Sequence, residues 1–292
     1  ELTLALPLGL LFSGAIERDK RFIYLFAAGM MGVALIMTNS RGGILSFIAE
    51  IVFLVAMTGF RRKSRAGNEG TDRRMGIRGA VVRAGLGLAL ILSIFAGVVL
   101  LGGEPVLNRL MGTVSSADPT TGRAHFWRVT LDVIRDHPLL GTGLGSFGLA
   151  YTRYDTRGGA LRVEQVHNDY LQVLSDAGIV GALFGLFFIV TLFRRGLTRS
   201  ASQDTFRRGI AVGALAGCFA ALVHSFFDFT LHTTSNALLF LTLAALATIN
   251  GRVERAPESG RRRRRRRAMK QPKVIPAPVT KSAELPSAQN QQ

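Results

Sequence analysis

The sequence has one cysteine, Cys218, and no zinc-protease motif. A single thiol cannot form a disulfide within the chain, and it excludes a metal site built from several cysteines. Because Cys218 lies inside an apolar run, we expect it to be a small buried hydrophobic side chain. The chain also lacks the H-E-x-x-H pattern and any two histidines four residues apart with a carboxylate between them. The sequence therefore predicts no resident metal and no other cofactor.

Long stretches without charge alternate with basic segments. Apolar residues make up 48% of the chain and the mean hydropathy is +0.28, although 19% of the residues are charged. The apolar runs lie at about 2–16, 22–38, 44–60, 80–101, 179–193, 209–227 and 236–250. A helix needs about 20 apolar residues to cross a bilayer. The pattern predicts an all-α, polytopic integral membrane protein with about seven membrane segments and one large helical extracytoplasmic loop. We expect the first segment to be truncated, because the chain begins with Glu1.

Acidic residues are scarce as well, and the basic ones are unevenly distributed. The chain contains 19 Asp and Glu against 36 Lys and Arg, which gives a formal net charge of +17. When successive loops are assigned to opposite sides of the membrane, 28 of these 36 basic residues fall on one side. Such an excess marks that side as cytoplasmic. The long loop at 102–178 then lies outside the cytoplasm, which is the periplasm if the cell is Gram-negative.

This topology divides the chain into four regions. They are N-terminal membrane segments at 1–101 with a basic cytoplasmic loop at 61–79, a periplasmic loop at 102–178, C-terminal membrane segments at 179–250, and a cytoplasmic tail at 251–292. The tail contains the cluster Arg261–Arg267 followed by Pro, Ala and Gln, a composition typical of disorder. An arginine cluster close after a membrane segment is typical of binding to anionic lipid. We therefore expect lipid, and not nucleic acid, as the partner of this charge.

The loop 102–178 contains most of the polar motifs outside the tail. The stretch TGRAHFWRVTLDVIRDHP predicts a helix that Pro138 ends, with Arg123 in its first turn. A cation is unfavourable there unless an anion lies close by, although an exposed arginine or a partner for Asp118 is an alternative. Further on, GTGLGSFG at 141–148 matches G-x-G-x-x-G, but no Val/Ile-rich strand precedes it and no βαβ unit surrounds it. Its glycines favour a close backbone approach instead.

A second polar cluster precedes the apolar run at 179–193. In VEQVHNDYLQVLSDAGIVG, Asn168 or Asp169 can cap a helix, and Gly178 is a natural stop before the membrane span. His167 then lies just outside a helix N-terminus, where the helix dipole disfavours the imidazolium form. A neutral imidazole at the edge of a membrane is suited to general-base catalysis near pH 7. A surface histidine beside a helix cap is the alternative.

Two more polar positions belong to the same side of the membrane. Arg41 is the only charge in TNSRGG, a short outer turn between two apolar runs, and charges near spans usually face a cavity or a partner. His224 and Asp228 are four residues apart near the end of a later run, which predicts a pair on one helix face. Snorkelling to the headgroups is the alternative for Arg41.

Taken together, these motifs resemble the O-antigen ligases and O-antigen polymerases, a family of bacterial polytopic membrane glycosyltransferases. The resemblance extends from about residue 22 to 250, and its motifs keep their order along the chain. They are Ser40-Arg41-Gly42-Gly43, Gly122-Arg123 with Trp127 four residues later, DHPLLGTGLGSF at 136–147, HNDYLQVLSDAGIVG at 167–181, and HSFFDF at 224–229.

The resemblance implies a metal-independent enzyme of the bacterial inner membrane whose active site faces the periplasm. Such an enzyme takes a glycan from an undecaprenyl-diphosphate carrier and passes it to lipid A–core, to a growing polysaccharide or to a protein hydroxyl. Arg41 and Arg123 would bind the diphosphate and His167 would act at the acceptor hydroxyl. Asn168, His224 and Asp228 would have supporting roles.

Within the family we expect a ligase that uses lipid A–core, while a polymerase or a protein O-oligosaccharyltransferase remains an open alternative. A transporter or flippase for lipid-linked or anionic substrates is the alternative from another class. It predicts polar groups near mid-membrane and a repeat of spans. The sequence has no internal repeat, and its polar motifs gather at one face.

Overall fold

The computed structural model describes residues 2–38, 40–65, 123–158 and 162–249, and the single residue Gly85. These ranges contain only helices, turns and irregular segments, which confirms the predicted all-α class for the described part of the chain. The helices are α1 (Ala5–Ser13), α2 (Arg21–Met37), α3 (Arg41–Arg65), α4 (Arg123–Asp136), α5 (Phe147–Tyr154), α6 (Asp169–Arg199), α7 (Thr205–His224) and α8 (Thr234–Thr248), with short 3-10 turns at Arg18–Lys20 and Thr230–His232.

Three helical segments in the described ranges are long and apolar enough to cross a membrane: Arg18–Met37, Asp169–Arg199 and Thr205–His224. The expected spans at 2–16, 44–60 and 236–250 coincide with helices α1, α3 and α8. Apart from Gly85, the expected span at 80–101 lies outside the described residues. So do most of the basic loop at 61–79, the first part of the loop at 102–178 and the tail with Arg261–Arg267. The number of spans therefore stays a prediction.

Helix α7 occupies the centre of the membrane helices, because α1, α3, α6 and α8 all pack against it. Small residues make the closest of these contacts possible. A Cβ on Gly9 of α1 would lie 2.3 Å from the Cα of Gly213 in α7, so the two backbones touch. Helices commonly associate in lipid by such close backbone approach, because apolar side chains gain little free energy when they exchange lipid tails for another helix. Cys218 of α7 is fully buried, as its sequence position predicts.

Helix α6 is broken at Gly178, which has φ 60° and ψ −163°. A Cβ there would lie 2.3 Å from the carbonyl oxygen of Leu139, so only glycine fits. The segment 138–145 satisfies the freed backbone groups: Ile179 N–H donates to the Pro138 carbonyl at 2.9 Å, and Gly143 N–H donates to the Asp176 carbonyl at 2.9 Å. Within the glycine-rich motif, Gly141 serves close backbone approach, as predicted, because a Cβ on it would lie 2.5 Å from the carbonyl carbon of Asp176. Gly143 and Gly145 have room for a Cβ but adopt positive φ, 112° and 74°. The break at Gly178 separates the polar start of α6 from its membrane half.

A second, smaller core lies beside the start of α6. It joins α4, α5 and the chain before α6 through Val129, Phe147, Tyr151, Val163 and Val166, with Phe126, Trp127, Tyr154 and Leu171 packed against them. This core, which we call the outer core, holds α4, and with it Arg123, next to His167, the second residue before α6.

Candidate functional site

The candidate site is built around the N-terminus of α6. Asn168 is the cap: its side-chain oxygen accepts hydrogen bonds from the backbone N–H groups of Tyr170 and Leu171, both at 3.0 Å. Its amide nitrogen donates to the carbonyl of Phe226 at 3.1 Å. The cap therefore ties the start of α6 to the turn that follows α7. His167, directly before the cap, is the one non-glycine residue in the described ranges with positive φ, 56°, a backbone conformation that costs energy and persists only where its surroundings hold it.

His167, Asp228 and Arg123 form one connected group. The Nδ1 atom of His167 lies 2.9 Å from Oδ1 of Asp228, and a guanidinium nitrogen of Arg123 lies 3.5 Å from Oδ2 of the same carboxylate. Arg123 also donates to the carbonyl of Phe227. The side chains of the three residues are all about one-third exposed: 31% for His167, 33% for Asp228 and 30% for Arg123. The group is thus open to a ligand while its geometry is defined by the turn after α7.

Aromatic rings hold the imidazole of His167 in place. The ring of Phe229 stands edge-on to it with centroids 4.9 Å apart, and Phe126 of α4 is stacked against it at 6.3 Å. A carboxylate only accepts hydrogen bonds, so the proton of a neutral His167 is on Nδ1, and Nε2 has the free lone pair. Nε2 of His167 can therefore accept a proton, while the positive guanidinium of Arg123 contacts the same carboxylate of Asp228.

The structure corrects the expected relation between His224 and Asp228. They do not share a helix face, because α7 ends at His224 and Asp228 lies in the following turn. The backbone N–H of Asp169 donates to the Ser225 carbonyl at 2.9 Å, and this contact directs the turn, and Asp228, toward the start of α6. Arg123 is paired with Asp228, while the expected alternative partner, Asp118, lies outside the described residues.

His224 contacts the turn before α3 instead. Its Nε2 atom lies 3.5 Å from Oγ of Ser40, which caps α3 by accepting from the backbone N–H of Gly43 at 3.0 Å. A Cβ on Gly42 would lie 2.8 Å from the His224 ring and 2.9 Å from Cβ of Phe227. This close approach brings Arg41, the exposed first residue of α3, to the end of α7 where the turn with Asp228 begins.

A second histidine–carboxylate pair lies next to the site and gave no signal in the sequence. Nδ1 of His232 is 2.5 Å from Oδ1 of Asp169, whose other oxygen accepts from the Ser225 hydroxyl at 2.7 Å and from the Leu231 N–H at 2.9 Å. The hydrogen bond to Asp169 raises the pKa of His232 above its ordinary value, although burial opposes the shift. Asp169 and His232 are 63 residues apart, and only the folded chain brings them together.

Within the described ranges, no three His, Cys, Asp or Glu side chains are grouped so as to hold a metal ion. His125 of α4 is paired with Asp155, the residue after α5, at 3.1 Å.

The family comparison agrees with the motifs and with their positions. The family model described as O-antigen ligase matches residues 25–186, which is more than half of the chain. The matched region contains Arg41, Arg123 and His167, while His224 and Asp228 lie beyond it. No curated protein matches the chain. With its apolar helices and this match, the chain belongs to the O-antigen ligase family of bacterial membrane glycosyltransferases.

Proposed function

We propose that the protein transfers a glycan from an undecaprenyl-diphosphate carrier to a hydroxyl of lipid A–core, without a metal ion, at the periplasmic face of the inner membrane. The observation that carries the proposal is the carboxylate of Asp228, which lies between the imidazole of His167 and the guanidinium of Arg123. It joins a candidate base to a candidate anion-binding group in a single partly exposed cluster.

His167 is the proposed general base. Asp228 accepts the Nδ1 proton, so Nε2 faces the incoming hydroxyl. The carboxylate of Asp228 stabilises the imidazolium that forms when His167 takes the proton during the reaction. The acceptor oxygen forms a bond to the anomeric carbon, its proton passes to Nε2, and the bond between the sugar and the diphosphate breaks.

Arg123 and Arg41 are the proposed binding groups for the diphosphate. Arg41 is the first residue of α3, where the dipole favours an anion and disfavours a cation. A bound diphosphate would remove this disadvantage, and the sequence predicts a first-turn position for Arg123 as well. The leaving diphosphate gains negative charge as the glycosidic bond breaks, and two guanidinium groups with the N-terminus of α3 can stabilise that charge without a metal ion.

Asn168 and His224 have supporting roles in this proposal. Asn168 fixes His167 relative to the turn that contains Asp228, because it caps α6 and donates to Phe226. His224 positions the start of α3, where Arg41 lies, through its contact with Ser40. Neither residue needs to contact the substrate for its loss to weaken transfer.

A polymerase or a protein O-oligosaccharyltransferase would use the same donor and the same base with a different acceptor. A deletion strain distinguishes the three. Lipid A–core without any attached polymer indicates a ligase, attachment of single repeat units indicates a polymerase, and loss of glycan from a secreted protein indicates a protein glycosyltransferase. A transporter would be favoured by polar groups at mid-membrane, whereas this cluster lies where α7 ends and α6 begins.

Turnover by the full chain in lipid vesicles tests the proposal directly. The purified protein is mixed with undecaprenyl-diphosphate-linked glycan and lipid A–core, with and without EDTA, and the product is measured by gel mobility and mass. We expect transfer that EDTA does not stop, its loss in His167→Ala, and its retention in His137→Ala, which removes an exposed histidine from the end of α4. Full activity of His167→Ala would contradict the mechanism, and no transfer by the wild type to any acceptor would contradict the function.

A further inference from the structure

Four leucines outside the predicted membrane runs are largely exposed. Leu139, Leu140, Leu144 and Leu149 have exposed fractions of 66%, 72%, 88% and 81%. They lie within eleven residues that cover the glycine-rich motif and the start of α5; we call residues 139–149 the leucine segment. Single exposed apolar side chains are ordinary, but a group of this size marks a surface that meets an apolar partner.

Backbone hydrogen bonds place the leucine segment at the outer end of the membrane half of α6. The N–H of Val180 donates to the Leu139 carbonyl at 3.2 Å, so Leu139 is level with the first residues of that half. Further along, the N–H of Gly145 donates to the carboxylate of Asp176 at 3.0 Å. From Leu139 to Gly145 the segment therefore runs from the membrane half of α6 toward its polar start. Leu144 lies roughly 5 Å, one helical turn, farther from the membrane half than Leu139.

The same end of α6 has its own exposed apolar side chains. They include Ile179, Val180, Leu183 and Phe184, and Phe184 is 73% exposed. Because α6 is long and apolar enough to span a membrane, these side chains contact lipid tails. Leu139 and Leu140 continue that surface directly. Basic residues follow on the same stretch of chain: Arg153 in α5 and Arg157 after it are both exposed, and they complement anionic headgroups.

We propose that the leucine segment is inserted in the bilayer leaflet nearest the candidate site, with Leu139 and Leu140 among the lipid tails and Leu144 near the headgroups. The partner is the lipid surface itself. Phe147 and Tyr151 of α5 belong to the outer core that contains the chain before His167, so the inserted segment holds this core at a fixed height above the membrane. The proposal does not depend on glycosyl transfer.

Fluorescence quenching in vesicles tests the insertion. Cys218→Ala removes the one thiol of the chain, and a single cysteine is then placed at position 140 or 144 and labelled with an environment-sensitive fluorophore. Phe184→Cys is the reference for lipid contact, and Arg135→Cys is the reference for water, since the Arg135 side chain is 76% exposed beside Asp132. The full chain is reconstituted in phosphatidylethanolamine and phosphatidylglycerol, and iodide in the buffer is compared with nitroxide lipids spin-labelled at the headgroup or at mid-chain.

We expect the fluorophore of Leu140→Cys to be blue-shifted and quenched severalfold more by mid-chain nitroxide than that of Arg135→Cys, with a response close to that of Phe184→Cys. Leu144→Cys should respond more to the headgroup nitroxide. Quenching of both leucine positions by iodide to the extent seen at Arg135 would overturn the proposal. Protection from every quencher would overturn it too, since it would mean that protein covers the segment. If Leu140→Cys fails to fold, Leu144→Cys at the most exposed position decides by the same comparison.

Discussion

The two histidine–carboxylate pairs beside the start of α6 have similar geometry and different surroundings. In one, His167 meets Asp228, which is one-third exposed and shared with Arg123. In the other, His232, whose side chain is 30% exposed, meets Asp169, whose side chain is only 6% exposed. After their carboxylates, we call the first the open pair and the second the buried pair. Asp169 also accepts hydrogen bonds from Ser225 and from the backbone of Leu231, so its oxygens are fully used inside the protein.

This difference separates a group that can react from a group that holds the chain in place. A carboxylate surrounded by fixed donors has little capacity for a ligand, whereas one that is open and shared with a cation can follow changes of charge nearby. The pairs are also connected. Asp169 binds both ends of the segment from Ser225 to His232, and Asp228 lies within that segment. We therefore expect the buried pair to position the open one.

The largest effect should come from removing the open imidazole. Because general-base catalysis contributes about 10²–10⁴-fold, His167→Ala should lower the rate of glycan transfer by that factor with normal membrane insertion. His232→Ala should lower it far less, since His232 would have no contact with substrate. Initial rates in vesicles, normalised to folded protein by size-exclusion profile, measure both. Equal losses of rate in the two variants would contradict the assignment of His167 to catalysis and of His232 to positioning.

Asp228→Asn should have the next largest effect. The amide keeps the size of the side chain but loses the negative charge that contacts both His167 and Arg123. Hydrogen bonds to charged groups contribute about 1.5–3 kcal/mol, which corresponds to roughly 10- to 100-fold in rate. We expect the loss in kcat, with little change in KM for the acceptor, because the interaction strengthens as His167 becomes charged. A loss confined to KM would show that Asp228 helps to bind the acceptor instead.

Asp169→Asn tests whether the buried pair positions the open one. Replacing the carboxylate leaves a buried donor without its acceptor, at a cost of about 1–3 kcal/mol, so the midpoint of thermal unfolding should fall. The transfer rate should fall modestly below that temperature, and Asp169→Glu should restore part of it. Asp132→Asn, at an exposed carboxylate that pairs with Arg135, is the matched control and should change neither. A lower unfolding temperature with an unchanged rate would assign Asp169 to stability alone.

Much of the fold follows from local chemistry that a sequence displays. Apolar runs of membrane length predict α2, α6 and α7, since a helix satisfies its own backbone groups in lipid. The cap at Asn168 and the break at Gly178 could also be predicted, because each depends on residues next to it in the sequence. The side of the membrane to which Arg41, Arg123 and His167 are assigned rests on the charge bias of the loops, and it stays a prediction.

The pairings within the site were not predictable in this way. Asp228 is 61 residues from His167, and its spacing from His224 suggested a shared helix face. The end of α7 at His224 and the contact between Asp169 and Ser225 decide otherwise. Which side chain Asp228 pairs with depends on tertiary packing, and a local sequence pattern carries no information on that packing. The pair of His232 and Asp169 lacks any motif for the same reason.

The smallest expected effect concerns pH and the buried pair. Because the pKa of His232 is raised above its ordinary value of 6.5 by the bond to Asp169, its protonation stabilises the folded state. This contribution is fully present below the ordinary pKa and is lost as the pH rises through the raised value. The difference in unfolding temperature between wild type and His232→Gln should therefore be largest at acid pH and shrink on the alkaline side. His137→Gln, at an exposed position, controls for loss of an imidazole. A difference that grows with rising pH would mean that the folded protein favours the neutral form of His232, and the buried pair would then not be an ion pair.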